Sequence, residues 1–240
     1  DGTYASLTQA TGAFAAINAA GSQAGNNILI TITADVATED GANQLNNGGW
    51  TTLTINPSGT RTLSGNVNTS MIRLSGAANV TIDGLNSGGN SLAISNTNIG
   101  ASAATITFAN GASSNTIQNC NILGSATNLG VIFFTTGTVT GNNNNLITQC
   151  NISASAGGNP TNAILSVGTS AVMPNSNNTI TVCNISDYFS AGSASTGINI
   201  NSNNSDWTIT NNALYQTATR IYTNNSTHNG ILINSGAGYT

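Results

Sequence analysis

The sequence predicts an all-β fold, a right-handed parallel β-helix with a short N-terminal capping helix. Three observations carry this prediction. There is an internal repeat of about 30 residues, apolar and polar residues alternate within each repeat, and Gly, Asn and Ser clusters separate the apolar segments.

The repeat is clearest in the second half of the chain. NTIQNCNI from Asn115, NLITQCNI from Asn145 and NTITVCNI from Asn178 superpose without a gap, and WTITNNAL from Trp207 fits the same frame. Their central isoleucines, Ile117, Ile147, Ile180 and Ile209, are 30, 33 and 29 residues apart, and a weaker relative centred on Ile82 precedes them by 35. A second register of short apolar segments runs between these strings, at 104–108, 130–134, 163–167, 197–200 and 230–233. Each unit therefore holds at least two short strands, and none of these runs has the length or spacing of a helix. Short strands that recur at one period bury their apolar side when each repeat stacks as a coil on the next. About seven coils are expected, a rod segment of ~33 Å at ~4.8 Å per strand.

At the N-terminus the pattern changes. Leu7, Ala10, Phe14 and Ile17 recur at helical spacing, Ser6 precedes them as a cap with Gln9 three residues on, and Gly21 closes the run. This predicts an amphipathic helix over 5–20, laid across a coil end that would otherwise expose an apolar cross-section. Residues 1–25 form the cap and 26–240 the coils. Ile231 and Ile233 begin another coil near the last residue, so the polypeptide is expected to continue beyond 240 or to stack end to end with a second copy.

Composition narrows the function classes. Charged residues are 4% of the chain against about 25% in an ordinary domain. The net charge is −4, there is no lysine, and Arg61, Arg73 and Arg220 are dispersed, so a nucleic-acid partner is not expected. The longest apolar run, around 131–134, is far below the ~20 residues of a membrane-spanning helix, so membrane insertion is not expected either.

In place of charge the chain carries forty asparagines, one residue in six. Equivalent positions in successive coils lie ~4.8 Å apart, so Asn121, Asn151 and Asn184 should form an amide ladder along the axis. Cys120, Cys150 and Cys183 also share one position, with Asn212 in the fourth coil, and read as an inward or corner stack of packing thiols.

Catalytic groups are scarce. Paired carboxylates need to lie about 5 to 10 Å apart on one face. Asp83, Asp187 and Asp206 fall in different columns of different coils, and Glu39 with Asp40 reads as a turn or a weak cation site. His228 stands in a Thr, Asn and Ser context as a surface or corner residue. No catalytic, cofactor or metal site is expected, and the reading is non-catalytic. Trp50 and Trp207 raise sugar stacking, with Trp207 the better candidate because it occupies a boundary position. Thr-x-Thr pairs at Thr31 and Thr33, Thr52 and Thr54, and Thr105 and Thr107 raise a water-ordering face, but ILSVG and INI replace them in later coils. Loops of unequal length after Gly111, Gly137, Gly168 and Asn201 lie on one side, where a regular scaffold usually places binding.

DGTYASLTQATGAFAAINAAG, TITADVATEDG, TLTINPSGTRTLSG, IRLSGAANVTIDG and the repeated NTIxxCNI units resemble a right-handed parallel β-helix module of large secreted surface proteins of Bacteroidetes-type bacteria. The likeness covers nearly the whole chain. The resemblance implies a multi-domain parent protein, export by the type IX route and a separate sorting domain, with no catalytic residues to carry over. The expectation is therefore an extracellular stalk, fibre or adhesive module of a cell surface. Its partners would be further coils, a second copy, or a glycan or cell-surface ligand. The alternative is a carbohydrate-binding or carbohydrate-cleaving β-helix.

Overall fold

The computed structural model describes residues 2–221 and 223–240 and stacks short parallel strands into three faces around one core. The first face has seven strands: Asn27–Ile32, Thr52–Pro57, Val80–Asp83, Thr116–Gln118, Leu146–Thr148, Thr179–Thr181 and Thr208–Thr210. The second has six: Thr60–Gly65, Ser91–Asn96, Cys120–Gly124, Asn151–Ala154, Asn184–Ser186 and Ala213–Tyr215. The third has seven: Leu45–Asn46, Ser70–Ser75, Ala104–Ala109, Gly130–Phe134, Asn162–Ser166, Ser195–Ile200 and His228–Ile233. A short fourth ladder pairs Asn175–Ser176 with Asn204–Ser205. The chain thus completes six turns between the first and last strands of the first face. A full repeat holds three strands because NTIQNCNI is two of them, broken at Asn119.

The register is the one the repeats predict. Ile82, Ile117, Ile147, Ile180 and Ile209 pair level by level on the first face. Ile94, Ile122, Ile152 and Ile185 do so on the second, and Ile72, Ile106, Ile132, Ile164 and Ile198 on the third. Except at the last level these isoleucines are 0–1% exposed. Phe108 stacks on Phe134 at 4.3 Å between ring centroids, and Trp207 meets Phe134 edge-on at 5.0 Å.

Each change of face needs a corner, and asparagine is the commonest non-glycine residue with the backbone conformation a corner requires. Among the described residues fourteen non-glycine positions have positive φ, and eight are Asn and two Asp, the side chains that best tolerate the left-handed region. Asn79, Ser114, Asn144, Asn177 and Asp206 lead into the first face, while Asn119, Gln149, Val182 and Asn211 lie between the first and second. Val182, at φ 56, is the β-branched exception.

Other asparagines build ladders. The expected one exists on the outside, with Asn184 Nδ2 donating to Asn151 Oδ1 at 2.9 Å and Asn151 Nδ2 to Asn121 Oδ1 at 2.7 Å. A second is buried. Asn115 Nδ2 donates to Asn145 Oδ1 at 2.9 Å and Asn145 Nδ2 to Asn178 Oδ1 at 3.0 Å, and each acceptor also takes a backbone N–H from the level before it. Buried amides are tolerable because both ends of each are satisfied in this way.

The N-terminal helix is shorter than expected, Ala13–Ala19 instead of 5–20. The amides of Leu7 and Thr8 donate at 2.8 Å to the buried carboxylate of Glu39, and the Thr8 hydroxyl donates to the same group, which pulls this segment out of helical geometry. Ser6 Oγ accepts the Gln9 amide at 3.1 Å, so the capping pattern closes a local turn, and Gly12 is the helix N-cap. Glu39 is therefore an internal clasp rather than a cation site, while Asp40 makes the expected turn with the Ala42 amide. The cap docks through Phe14 and Leu7, and Asn18 bridges the Gln44 carbonyl and the Asn46 amide. It leaves a cleft of about 870 Å³ between itself and Asn27–Ile32, so the cover of that end is partial. At the opposite end Ile231 and Ile233, inward positions at earlier levels, are 46% and 44% exposed.

Two outcomes follow. Replacing Val182 by Asn relieves a left-handed β-branched residue and should raise unfolding free energy by about 1 kcal/mol in chemical denaturation. Asn145→Ala strands the buried Asn115 amide and Ala112 carbonyl and should lower it by on the order of 3 kcal/mol.

Candidate functional site

The third face is the one with shape. In four of its strands two consecutive residues are buried where alternation would expose one of them: Met71 and Ile72, Thr105 and Ile106, Val131 and Ile132, Ala163 and Ile164, all 0–1% exposed. A straight strand alternates sides, so these strands turn a corner, as at a bulge. Pairing skips the first residue of each couple, passing from Ser70 opposite Ala104 to Ile72 opposite Ile106. The outer side is thereby concave. Positions three residues apart would be ~10 Å apart along a straight strand. Here they meet between adjacent coils, Ser70 Oγ donating to Thr107 Oγ1 at 2.8 Å and Asn199 Nδ2 to Asn162 Oδ1 at 3.0 Å. Gly130 sits in this corner, where a Cβ would lie 2.3 Å from the Ile132 carbonyl oxygen and 2.7 Å from the Leu165 nitrogen.

Near the cap this hollow side forms a cleft of about 670 Å³. Arg73 and Phe133 stand in one outward column with buried Thr107 between them. Leu129, Ser102 and the 41–46 segment form the walls. Arg73 Nε is shielded from water and has no acceptor, and burial lowers the pKa of its guanidinium from the ordinary arginine value. The group stays protonated because arginine does not lose its proton in proteins. In the sequence this arginine is one of three dispersed cations with no motif around it. The bend that makes its surroundings concave is signalled only by paired apolar positions such as Met71–Ile72.

The three cysteines lie where their repeat position puts them, stacked at the start of the second face, 1% exposed and free. Each thiol points at backbone carbonyls, with Cys120 Sγ 3.1 Å from the Gln118 oxygen and Cys150 Sγ 3.2 Å from the Thr148 oxygen. The neighbouring Cys120 thiol, then burial, pushes Cys150 up, and Cys150, then burial, does the same to Cys183. Such thiols are not nucleophiles.

The expected site residues remain separate in some cases and are brought together in others. Asp83 bonds Gln118, Asn119 and the Leu85 amide on the first face, Asp187 lies beyond the second face, and Asp206 is a corner residue before Trp207. His228 is half-buried rather than a solitary surface residue. Its Nδ1 is 2.6 Å from Ser195 Oγ, and its ring stacks on Phe189 at 4.0 Å. Ser195 is 1% exposed, so its hydroxyl offers no approach to a substrate carbonyl. Nearby in the chain, Arg220 makes the one ion pair among the described residues, 3.4 Å from Asp187.

The two tryptophans are closed to sugars. Trp207 is fully buried, with Nε1 donating to the Asn175 carbonyl, and Trp50 donates to the Ala78 carbonyl at 4% exposure. Trp207 takes the place of the asparagines in the inner ladder and caps it, which is why the boundary reading fails.

The threonine pattern also differs from expectation. Thr105 and Thr107 are buried on the third face, whereas Thr-x-Thr does recur late in the chain, at Thr179 and Thr181 and at Thr208 and Thr210 on the first face. ILSVG and INI belong to the third face and so do not interrupt that column. Leu146, Asp83 and Gln118 do interrupt it. Comparison of the chain with protein families, curated proteins and solved structures finds no match.

The chemistry of the thiols and of Asp187 gives two measurable outcomes. Ellman's reagent should leave all three thiols unmodified in the native protein and react with all three in guanidinium. For Asp187, burial raises the pKa, but the Thr217 hydroxyl and amide and then Arg220 lower it further, so the net position is below the ordinary carboxylate value. Its stabilisation is present above that ordinary value and lost as pH falls through the depressed one. Asp187→Asn should flatten this acid limb in a pH series of melting temperatures.

Proposed function

We propose that the chain is a rigid structural and adhesive module of an extracellular bacterial surface protein, a stalk or fibre segment that performs no turnover. One observation carries this reading: an unbroken in-register stack from Asn27–Ile32 to His228–Ile233. A solenoid of this kind transmits position along its axis and keeps its outer faces for contact. The resemblance of the cap and repeat strings to Bacteroidetes-type surface proteins supports export by the type IX route. The half-exposed Ile231 and Ile233 leave an apolar patch at that end of the stack, which supports end-on association with a second copy.

Two measurements test the proposal. Antibody labelling and protease shaving of intact source cells should find the protein on the surface, and confinement to the cytoplasmic fraction would overturn it. Sedimentation across a concentration series should show association of the 240-residue chain that the double variant Ile231→Asp, Ile233→Asp abolishes. A concentration-independent monomer would remove the stacking part.

A further inference from the structure

Arg73 sets a fixed positive charge in a cleft that none of the lining residues answers with an acid. Its Nε has no acceptor within the protein, and its guanidinium makes no ion pair among the described residues. The cleft has the size of a small-ligand site, and its walls divide by chemistry. Phe133 and Leu129 supply apolar surface, while Gln44, Asn46 and Ser102 supply hydrogen-bonding groups at the rim. Phe133 stands two levels from Arg73, about 10 Å along the axis.

We infer that this groove binds acidic oligosaccharides, with Arg73 gripping a carboxylate or sulfate and Phe133 carrying the apolar face of a sugar ring. Arginine suits both anions because its planar fork donates two parallel hydrogen bonds. Neutral sugars would leave the guanidinium unanswered and bind less well. Arg73 and Phe133 lie in line along the axis, so a linear chain reaches both. The inference supplies a ligand for the adhesive part of the proposed function and rests on that reading only for its biological setting.

The test is titration calorimetry on the full 240-residue chain with three probes: an oligogalacturonate hexamer, a heparin-derived hexasaccharide and maltohexaose. The acidic probes should bind, with affinity falling as salt rises, and maltohexaose should not. Arg73→Gln should weaken acidic binding by about tenfold or more. Arg73→Lys should fall between, and Phe133→Ala should weaken binding severalfold, while Val139→Ser in an exposed loop leaves it unchanged. Preference between the two acidic probes identifies carboxylate or sulfate as the group held. If Arg73→Gln fails to fold, Arg73→Lys and the salt dependence of the unmodified chain still decide. Equal binding of maltohexaose, undiminished binding by Arg73→Gln, or no binding of either acidic probe at millimolar concentration overturns the inference. Binding by a chain that stays monomeric would keep the groove and discard end-on stacking, so the two proposals fail separately.

Discussion

The parallel backbone ladder between successive coils is the constraint on which everything else in this molecule depends. It places each side chain one strand spacing from its counterpart in the next coil, so a residue type is chosen once for a column and then meets copies of itself. Isoleucine columns form a continuous core under all three faces, and Ile147 stands between Ile117 and Ile180 because the ladder sets all three in one register. A charge repeated down a column would repel itself at that same spacing. The near absence of Lys, Asp, Glu and Arg follows from this geometry as much as from function.

Asparagine meets the ladder's demands in two physically different ways. At corners it accepts the left-handed backbone conformation, as at Asn119 and Asn177. Inside, an amide carries both donor and acceptor, so a column of identical amides satisfies itself, as Asn115, Asn145 and Asn178 do. The thiol column is the apolar counterpart, three small groups whose weak donors find carbonyls. Where a column ends, a different residue closes it: Trp207 above the inner amides, and Asn212 above the thiols with its Oδ1 taking the Cys183 amide.

Against this background the few charged residues have separate uses. Glu39 is spent on fastening the cap, Asp187 and Arg220 on holding the 187–220 region together, and Asp83 on anchoring Gln118 and Asn119. Arg73 has no such use inside the protein. It projects from a face made concave by its own strand geometry, which links the backbone bend to a cation that makes no ion pair among the described residues.

The sequence by itself determined the solenoid, its period, the alignment of Ile82 with Ile117, Ile147, Ile180 and Ile209, the stacking of the cysteines and the outer asparagine ladder. All of these are periodic, and a period is visible along the chain because each coil repeats the same local chemistry. Only the tertiary structure decided what is not periodic or depends on a partner far away in the chain. The helix shrank to Ala13–Ala19 because Glu39, about thirty residues on, took the amides of Leu7 and Thr8. The late Thr-x-Thr pairs share the first face, away from ILSVG and INI, because two strand registers interleave in the chain but separate in space. Trp207 proved a buried cap, since burial depends on the levels around it and not on its repeat position alone. The groove at Arg73 needed the bend at Met71–Ile72 repeated through Val131–Ile132, a feature of stacked backbones that no single strand displays.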